Sequence, residues 1–454
     1  MKNTLGNLDL QACLSKLENA GRLTRIQSEV DPVHELAGLA QKLEGGQVVY
    51  FEKVKGNSYP VVTGMFWNRE NLATLFNCDV EQLPFILSDA VSSWQENPID
   101  PIVIDKAPVQ EIVQTTPNLY ALPVPTHALE DGGPYFSCSV VLAKDPDTGV
   151  RNASVHRCMV VGPDRLTMLM DVGRHLRDYY ERAEAKGQPL EITISNGVDP
   201  SVYFASVSPG SAAPLDKDEL GIACALRGCP LELSRSLTVG VEGIANAQFC
   251  IEGEILPYLR ESEGKFGEVT GYYATKDDRW VVNVKAITHR KKPIFHTLIP
   301  GKEVFNSVGL TGEASIFRIV SRQVPGVKAV YLSHGGCGFY HAIVQMEPKY
   351  PGMAKNAIMS TFAAFPPLQI VTVVNPDVDI FNAEEIQWAM ATRFKPDEDT
   401  VILPKCFSHE LNPATDQGYS AKIGFDCTVP LPKSPIYDRV KMLDVNLDNY
   451  SIKS

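Results

Sequence analysis

Residues 137–162, SCSVVLAKDPDTGVRNASVHRCMVVG, determine the fold class of the middle of this chain. Two runs rich in β-branched residues flank the turn sequence DPDTG, which predicts two strands with a turn between them. Runs of the same kind recur between about 110 and 310, cut by Gly and Pro, as in LEITISNG, VYFASVS and WVVNVKAITHR. Short strands at this density predict a barrel or sandwich core. Helical patterns at 173–187 and 243–262 interrupt it.

Before this β-rich region, the sequence predicts alternating helices and strands. The strands are QVVYFEKV and YPVVTGMF, and the helices lie at 9–21, 32–43, 68–76 and 80–95. The Pro-rich stretch NPIDPIVIDKAP then predicts a domain boundary. We therefore expect an α+β protein with an N-terminal α/β domain at 1–109 and a β-rich domain at 110–310.

After the β-rich region, α/β alternation returns and predicts a third domain at 311–454. Strands VKAVYLS and YHAIVQME flank a GGCG turn, and LQIVTVVN is a continuous apolar run typical of a buried strand. Helices are predicted at 351–364 and 383–393, and a short helical patch at 436–445 in the polar tail.

Composition excludes several classes of protein. The chain has 454 residues, enough for two or three domains, and a net charge of −12 from 42 basic and 54 acidic residues. An acidic balance without long runs of one sign argues against nucleic acid or an anionic membrane as the main partner. No apolar stretch reaches the length of a membrane span, and the N-terminus lacks the apolar core of a signal peptide. The ten scattered Cys predict reduced core thiols, so we expect a cytoplasmic protein.

The sequence lacks a Walker loop, a GxGxxG after a strand, an HExxH and a GxSxG motif. The GGCG turn looks like a phosphate cradle, but it joins two predicted strands, so a hairpin turn is the better interpretation. His334, Cys337 and His341 are metal-ligating types, yet a strand–turn–strand placement keeps them from converging. The two aspartates of NPDVDIFN follow a buried strand, where an Asx turn explains them at least as well as a metal does.

The segment EGKFGEVTGYY at 263–273 carries two carboxylates five residues apart. On a helix this spacing separates the side chains by about 140°, and on a strand it puts them on opposite faces. Glu263 and Glu268 converge only if the chain turns between them, which Gly264 and Gly267 permit. Converging carboxylates in a pocket raise each other's pKa and yield an acid that keeps its proton near neutral pH. The alternative is a solvated surface turn that carries two glutamates.

A second polar segment, NASVHR at 152–157, follows the DPDTG turn in a predicted barrel strand. By alternation Asn152, Ser154 and His156 share one face, whereas Arg157 points to the other unless the strand bends. An arginine near the paired glutamates would form a network that sets the protonation of the acid. An ordinary salt bridge is the alternative interpretation of this arginine.

Taken together in chain order, these segments resemble the UbiD-type decarboxylase family, whose members are reversible (de)carboxylases that use prenylated FMN. The motifs that carry the resemblance are N-x4-R at Asn152 and Arg157, Gly173-Arg174-His175, Glu219 in DKDELGIACALRG, and E-G-x-F-G-E at 263–268. LPVPTHALEDGGPY, ITHRKKPIFHT, VDIFNAEEIQWAMATR and SAKIGFDCT fit as well, so the resemblance spans nearly the whole chain. Lys265 departs from the pattern, because many members have Pro there.

The resemblance implies a split β-barrel that binds prenylated FMN and a C-terminal domain that mediates oligomerisation. It implies that Asn152, His175 and Glu219 bind Mn²⁺ or Mg²⁺, with K⁺ beside it on backbone carbonyls, and these donor types suit such ions. The implied cofactor-binding residues are Asn152, Ser154, Val155, His156, Arg157, Arg174, His175 and Glu219. The implied catalytic residues are Glu268 as proton donor with Arg157 and Glu263 beside it, and His296 near the substrate pocket.

The same resemblance implies a substrate class and partners. The substrate is an aromatic or heteroaromatic acid, or an α,β-unsaturated one, and a flavin prenyltransferase supplies the cofactor. The chain is expected to form a homo-oligomer, either a dimer or a hexamer. Two alternatives stay open: a non-catalytic subunit of a larger carboxylase, and a split-barrel flavin reductase, which needs neither the Glu pair nor the metal triad.

Overall fold

The computed structural model of the chain describes residues 4–446 and 450, and three large sheets organise it. The first sheet has the strand order β1-β2-β3-β18, so a short strand from much later in the chain completes it. The Asp9 side chain caps the first helix, α1 (Leu10–Asn19), by accepting a hydrogen bond from the N–H of Ala12. Strand β1 was not predicted. The N-terminal elements are α1 (Leu10–Asn19), β1 (Leu23–Val30), α2 (Glu35–Lys42), β2 (Val48–Val54), β3 (Val61–Thr63), α3 (Arg69–Phe76) and α4 (Leu83–Glu96).

The middle of the chain is rich in strands, as predicted. Its first elements are β4 (Ile102–Ile104), β5 (Ile112–Gln114), β6 (Tyr135–Phe136), β7 (Val140–Lys144), β8 (Arg151–Val155), β9 (Cys158–Val160), β10 (Arg165–Met168), α5 (His175–Ala185) and β11 (Leu190–Asn196). Those that follow are α6 (Pro200–Ser206), α7 (Leu220–Arg227), β12 (Glu232–Ser234), β13 (Gly243–Ile244), β14 (Phe249–Glu263), β15 (Phe266–Gly267), β16 (Tyr273–Ala274), β17 (Asp277–His289) and β18 (Phe295–His296).

The long central sheet curls until its two ends meet. Its strand order is β6-β9-β10-β17-β14-β11-β7-β8, with β5 paired to β17. Strand β8 at one end leads to β9 near the other end through His156 and Arg157 alone. Three Cα-to-Cα steps span at most about 11 Å, so the ends of the sheet lie within that distance. The sheet is therefore a split barrel, and residues 156–157 form its seam.

Two predictions in this domain are wrong. The segment at 243–262, predicted as a helix, is mostly the strand β14, which pairs along its length with β17. The run VYFASVS, predicted as a strand, lies largely in the helix α6. Every residue of α6 is buried, so its apolar residues show no helical period, and Asp199 with Pro200 at the helix start was the better signal.

The last part of the chain forms a five-stranded sheet in the order β19-β20-β21-β23-β22. The GGCG turn joins two antiparallel strands, which confirms the hairpin. The predicted helix at 436–445 is wrong, because only a short 3-10 turn at Pro435–Tyr437 is present there. The 22-residue helix α8 was not predicted. The elements are α8 (Lys302–Gln323), β19 (Val327–Leu332), β20 (His341–Met346), α9 (Met353–Ala364), β21 (Ile370–Val374), α10 (Ala383–Arg393), β22 (Thr400–Phe407) and β23 (Tyr419–Cys427).

Two general expectations can be compared with the structure. Across the described residues, no helix combines the length and apolar character that crossing a membrane requires. The ten cysteines, all within the described range, are free thiols, and Cys138, Cys250 and Cys427 are buried as predicted.

A buried ion pair joins the N-terminal and C-terminal regions of the chain through α8. The guanidinium of Arg69 in α3 donates to both carboxylate oxygens of Glu313 in α8, at 2.9 and 2.7 Å. The same carboxylate accepts from the backbone N–H of Leu332 in β19 at 2.8 Å. Arg69 is 7% exposed and Glu313 is fully buried. The pair therefore fixes the N-terminal helix and the C-terminal sheet to one long helix.

Replacing Glu313 by Ala should lower the free energy of unfolding by about 3–5 kcal/mol, because Arg69 is left as a buried charge without its carboxylate. Urea denaturation followed by tryptophan fluorescence measures the change. Lys395→Ala is the control, since Lys395 and Glu398 form an exposed ion pair whose loss should change the free energy of unfolding little. Equal destabilisation by the two variants would contradict this assignment.

Candidate active site

At the seam of the barrel, Arg157 lies between the two glutamates of the E-G-x-F-G-E segment. Its Nη2 atom is 2.8 Å from Oε2 of Glu263, and its Nη1 atom makes a short contact with Oε1 of Glu268. The guanidinium also lies over the ring of Phe266, 5.2 Å from its centroid. The structure thus brings together the three residues predicted to be catalytic.

The seam and the turn explain how these side chains meet. The chain leaves β8 before Arg157, so the alternation that pointed this residue to the other face no longer applies. Glu263 is the last residue of β14, and Glu268 follows directly after β15. The Glu263 side chain is 0% exposed and that of Glu268 is 13% exposed. The solvated surface turn is therefore excluded.

The two carboxylates have unequal surroundings. Glu263 contacts Arg157 and also Arg279, whose Nε is 3.4 Å from Oε2. Burial, together with the charges of Asp171 and Glu263, raises the pKa of Glu268 to about 6 against the opposing effect of Arg157. Glu268 is thus the carboxyl group that can hold a proton near neutral pH.

The residues predicted to bind a metal also come together, around one carboxylate oxygen. Oε1 of Glu219 lies 2.8 Å from the Asn152 amide and 3.0 Å from Nδ1 of His175. The other oxygen, Oε2, accepts from the backbone N–H of Ala153 at 3.1 Å. Asn152 is in β8, His175 begins α5 and Glu219 precedes α7, so three separate elements contribute to this cluster. Both Asn152 and Glu219 are 3% exposed.

The hydrogen bonds next to Asn152 test whether this cluster fits a divalent cation. Burial lowers the pKa of His156 to about 4, so its ring is neutral and carries one N–H. The carbonyl of Leu169, 2.8 Å from Nδ1, takes that hydrogen, so Nε2 accepts from the hydroxyl of Ser154 at 3.0 Å. The Ser154 hydroxyl also lies 3.1 Å from Oδ1 of Asn152.

The amide nitrogen of Asn152 donates to Glu219, and the amide oxygen faces Ser154. Oε1 of Glu219 thus faces the Asn152 amide and an imidazole nitrogen at the same time. An amide, a carboxylate and an imidazole suit Mn²⁺ or Mg²⁺. The described residues hold no group of three or more His, Cys, Asp or Glu arranged for a metal, and here the amide supplies the third ligand. The residues present therefore fit the metal.

A phosphate would find donors beside this cluster. Arg174 is the exposed N-cap of α5, and the first N–H groups of a helix have no partner within it, which favours an anion. Val155 is half-buried at the end of β8, next to the seam. Arg174 also acts on the pKa of His156 as a nearby charge. The predicted cofactor-binding residues thus surround one end of the split barrel.

His296 lies elsewhere. It is buried in β18, with Nδ1 3.5 Å from Sγ of Cys138 and its ring stacked 6.3 Å from that of Phe66. Burial lowers its pKa to about 4. It does not line the cleft that Arg157 and Glu268 share, so its role in substrate choice stays a prediction.

A cleft of about 600 Å³ opens beside Arg157 and Glu268. Residues of the central domain form one wall. The opposite wall, which sequence reasoning missed, comes from the C-terminal domain, where β22, β23 and the loop between them contribute Phe407, His409, Glu410, Leu411, Pro413, Gln417 and Tyr419. The only local signal was the loop FSHELNP, and nothing in its spacing connects it to Glu268.

Three sequence models of one family match this chain in order. They are the N-terminal domain of 3-octaprenyl-4-hydroxybenzoate carboxy-lyase at residues 14–91, its Rift-related domain at 102–303 and its C-terminal domain at 306–427. The chain belongs to the UbiD family of carboxy-lyases.

Individual relatives agree with this assignment. An uncharacterized protein in the cooM 5′ region of Rhodospirillum rubrum is 50% identical over 98% of this chain and 96% of its own length. Anhydromevalonate phosphate decarboxylase of Methanothermobacter thermautotrophicus is 36% identical over 91% of this chain and 96% of its own. The structure of the UbiD-class enzyme HmfF from Pelotomaculum thermopropionicum in complex with FMN has a TM-score of 0.93 at 41% identity, covering 98% of this chain and 100% of that one. The chain is therefore a UbiD-type decarboxylase.

Proposed function

We propose that this protein catalyses the reversible, non-oxidative decarboxylation of an aromatic, heteroaromatic or α,β-unsaturated carboxylic acid with prenylated FMN. The observation that carries the proposal is Glu268, buried beside Arg157 at the barrel seam with a pKa raised to about 6. An evolved dimeric form of the Pelotomaculum enzyme is in complex with prFMN, which supports the choice of cofactor. Relatives named gallate decarboxylase and phenolic acid decarboxylase support the aromatic acids.

The cofactor site would comprise two parts of the chain. Asn152, His175 and Glu219 would hold Mn²⁺ or Mg²⁺ against the flavin phosphate, with K⁺ nearby on backbone carbonyls. Arg174 and the seam residues, with Ser154 and Val155, would contact the cofactor. When bound, prenylated FMN would supply the electron sink for the carbanion that loss of CO₂ leaves.

The remaining chemistry is assigned to side chains of this chain. Arg157 binds the substrate carboxylate before the carbon–carbon bond breaks. Glu268, protonated, delivers a proton to the carbon that has lost CO₂. Glu263 keeps Arg157 in place, since it holds Nη2 at 2.8 Å. Exclusion of water from the cleft by the bound cofactor and substrate would favour loss of the charged carboxylate.

We expect kcat to fall as the pH rises above about 6, because Glu268 must be protonated to deliver its proton and its pKa is raised to about 6. The protonated form predominates below that pKa and is lost above it. A pH profile of kcat measured at saturating acid checks this. A rate that increases steadily through this range would contradict the donor role.

A panel of aromatic and unsaturated acids, incubated with holoenzyme in deuterated buffer, tests the proposal. Release of CO₂ with deuterium at the former carboxyl position is the expected result. Protein co-expressed with a flavin prenyltransferase but free of flavin would instead indicate a non-catalytic subunit. NADH oxidation without CO₂ release would indicate a reductase.

We also propose that the protein is cytoplasmic and forms a dimer or a hexamer. Sedimentation of the purified protein would test the oligomeric state.

A further inference from the structure

A second loop runs alongside the turn that carries the two glutamates. Residues 128–135, ALEDGGPY, which we term the clamp loop, form hydrogen bonds to the three peptide units between Gly264 and Gly267. The N–H of Gly132 donates to the carbonyl of Lys265 at 2.8 Å. The hydroxyl of Tyr135 donates to the carbonyls of Gly264 and Lys265, at 3.1 and 3.2 Å. These bonds fix the first half of the turn.

Asp131 fixes the second half. Its Oδ1 atom accepts from the N–H of Gly267 at 2.8 Å, and Gly267 immediately precedes Glu268. Its Oδ2 atom accepts from the N–H of Ala128 at 2.9 Å, so the clamp loop itself orients the carboxylate. The side chain is half-buried, and burial raises its pKa. One carboxylate therefore connects the clamp loop to the peptide that leads into Glu268.

The backbones touch at two glycines. A Cβ atom placed on Gly132 would lie 2.3 Å from Cα of Gly264, and one placed on Gly264 would lie 2.3 Å from Cα of Gly132. Real side chains do not come that close to backbone, so either substitution forces the two loops apart. Phe266, between them, packs with Tyr135 and Met159 and lies under Arg157. The close approach of the two glycines and the packing of Phe266 thus both hold the turn against the clamp loop.

We propose that Asp131 is a positioning residue for decarboxylation: through the N–H of Gly267 it holds Glu268 against Arg157. This inference rests on the proposed function, because it takes Glu268 as the proton donor. Asp131 itself does not line the cleft and has no contact with the reacting atoms. Its effect on the reaction is geometric, and a displacement of about 1 Å at a reacting group costs up to about a hundredfold in rate.

Two variants with matched controls test the proposal in the full-length holoenzyme. Asp131→Ala should lower kcat by about tenfold to a hundredfold, with KM and bound flavin unchanged. Its control is Asp379→Ala, which removes a similar carboxylate bond to the N–H of Phe381 in the C-terminal domain. Gly132→Ala should act in the same direction, and Gly335→Ala is its control, because a Cβ there meets nothing within 4 Å. Both controls should keep the kcat of the parent.

Three further readouts separate positioning from a general loss of structure. Asp131→Asn keeps an acceptor for Gly267 and should recover part of the rate lost in Asp131→Ala. The alkaline limb of the kcat profile should move to lower pH in Asp131→Ala, because a loosened Glu268 is less buried and its pKa falls. Hydrogen exchange of a peptide covering 263–273 should accelerate in Asp131→Ala and in Gly132→Ala, but not in their controls.

The outcomes are distinct. Unchanged exchange at 263–273 in both variants would overturn the clamp, whatever the activity. Faster exchange with an unchanged kcat and pH profile would overturn the positioning role. If Asp131→Ala does not fold, Asp131→Asn and Gly132→Ala decide by the same measurements. Failure of the proposed function would appear separately, as normal turnover in Glu268→Gln while the exchange results still hold.

Discussion

Glu268→Gln should lower kcat for decarboxylation by about 10²–10⁴-fold while the holoenzyme keeps its flavin absorbance. The amide matches the carboxyl group in size and can still contact Arg157, but it has no acidic proton to deliver. Because this proton is missing, kcat of the variant should no longer fall as the pH rises above about 6. Turnover and the absorption spectrum of the purified variant measure both effects.

The matched control is Glu261→Gln, on the same strand β14, where Glu261 pairs with the exposed Arg165 at 2.6 Å. That variant should turn over like the parent enzyme. Near-normal turnover in Glu268→Gln would show that the proton comes from another group. Loss of flavin from this variant would show that Glu268 contributes to binding, and its kcat would then have to be compared per bound flavin.

Glu219→Ala should lose metal and flavin together, and with them all activity. Oε1 of Glu219 is where the Asn152 amide and His175 meet, so its removal leaves two neutral ligands with no anion to hold the cation. Metal analysis of the purified protein and its flavin absorbance measure the loss.

Glu232→Ala is the control for this variant, because Glu232 also accepts from an asparagine amide, that of Asn246, at 2.8 Å. It should keep both metal and flavin. A Glu219→Ala protein that keeps its manganese would contradict the assigned metal site. A full flavin spectrum without manganese would contradict the dependence of flavin binding on the metal. Glu219→Gln, which keeps an oxygen ligand, should retain more metal than Glu219→Ala.

Sequence reasoning succeeded where a local pattern and the tertiary environment agree. The helix α10 begins after an Asn382 cap with acidic residues in its first turn, and the buried strand β21 is a nearly unbroken apolar run. Both lie where they were predicted. The helix α6 was mistaken for a strand because burial on all sides removes the period on which such predictions depend. The long strand β14 was mistaken for a helix because its polar half is exposed and alternates weakly.

The site could be predicted only in part for a related reason. The order of Asn152, Arg157 and the two glutamates marks a family, but strand alternation put Arg157 on the face opposite Asn152 unless the strand bends. The bend at the seam depends on the curvature of the whole sheet, which no local spacing encodes. The wall supplied by β22 and β23 likewise depends on how two domains pack.

The seam also has a consequence for how the protein becomes active during folding. Arg157 is separated from Glu263 by 106 positions and from Glu268 by 111, so none of the network forms from neighbouring residues. Contacts this distant close large loops and form slowly compared with helices and hairpins. Until the last strands arrive, Arg157 has no carboxylate beside it and Glu268 stays in water with an ordinary acidity. Glu268 therefore acquires its raised pKa, and with it the ability to deliver a proton near neutral pH, only when the barrel is complete.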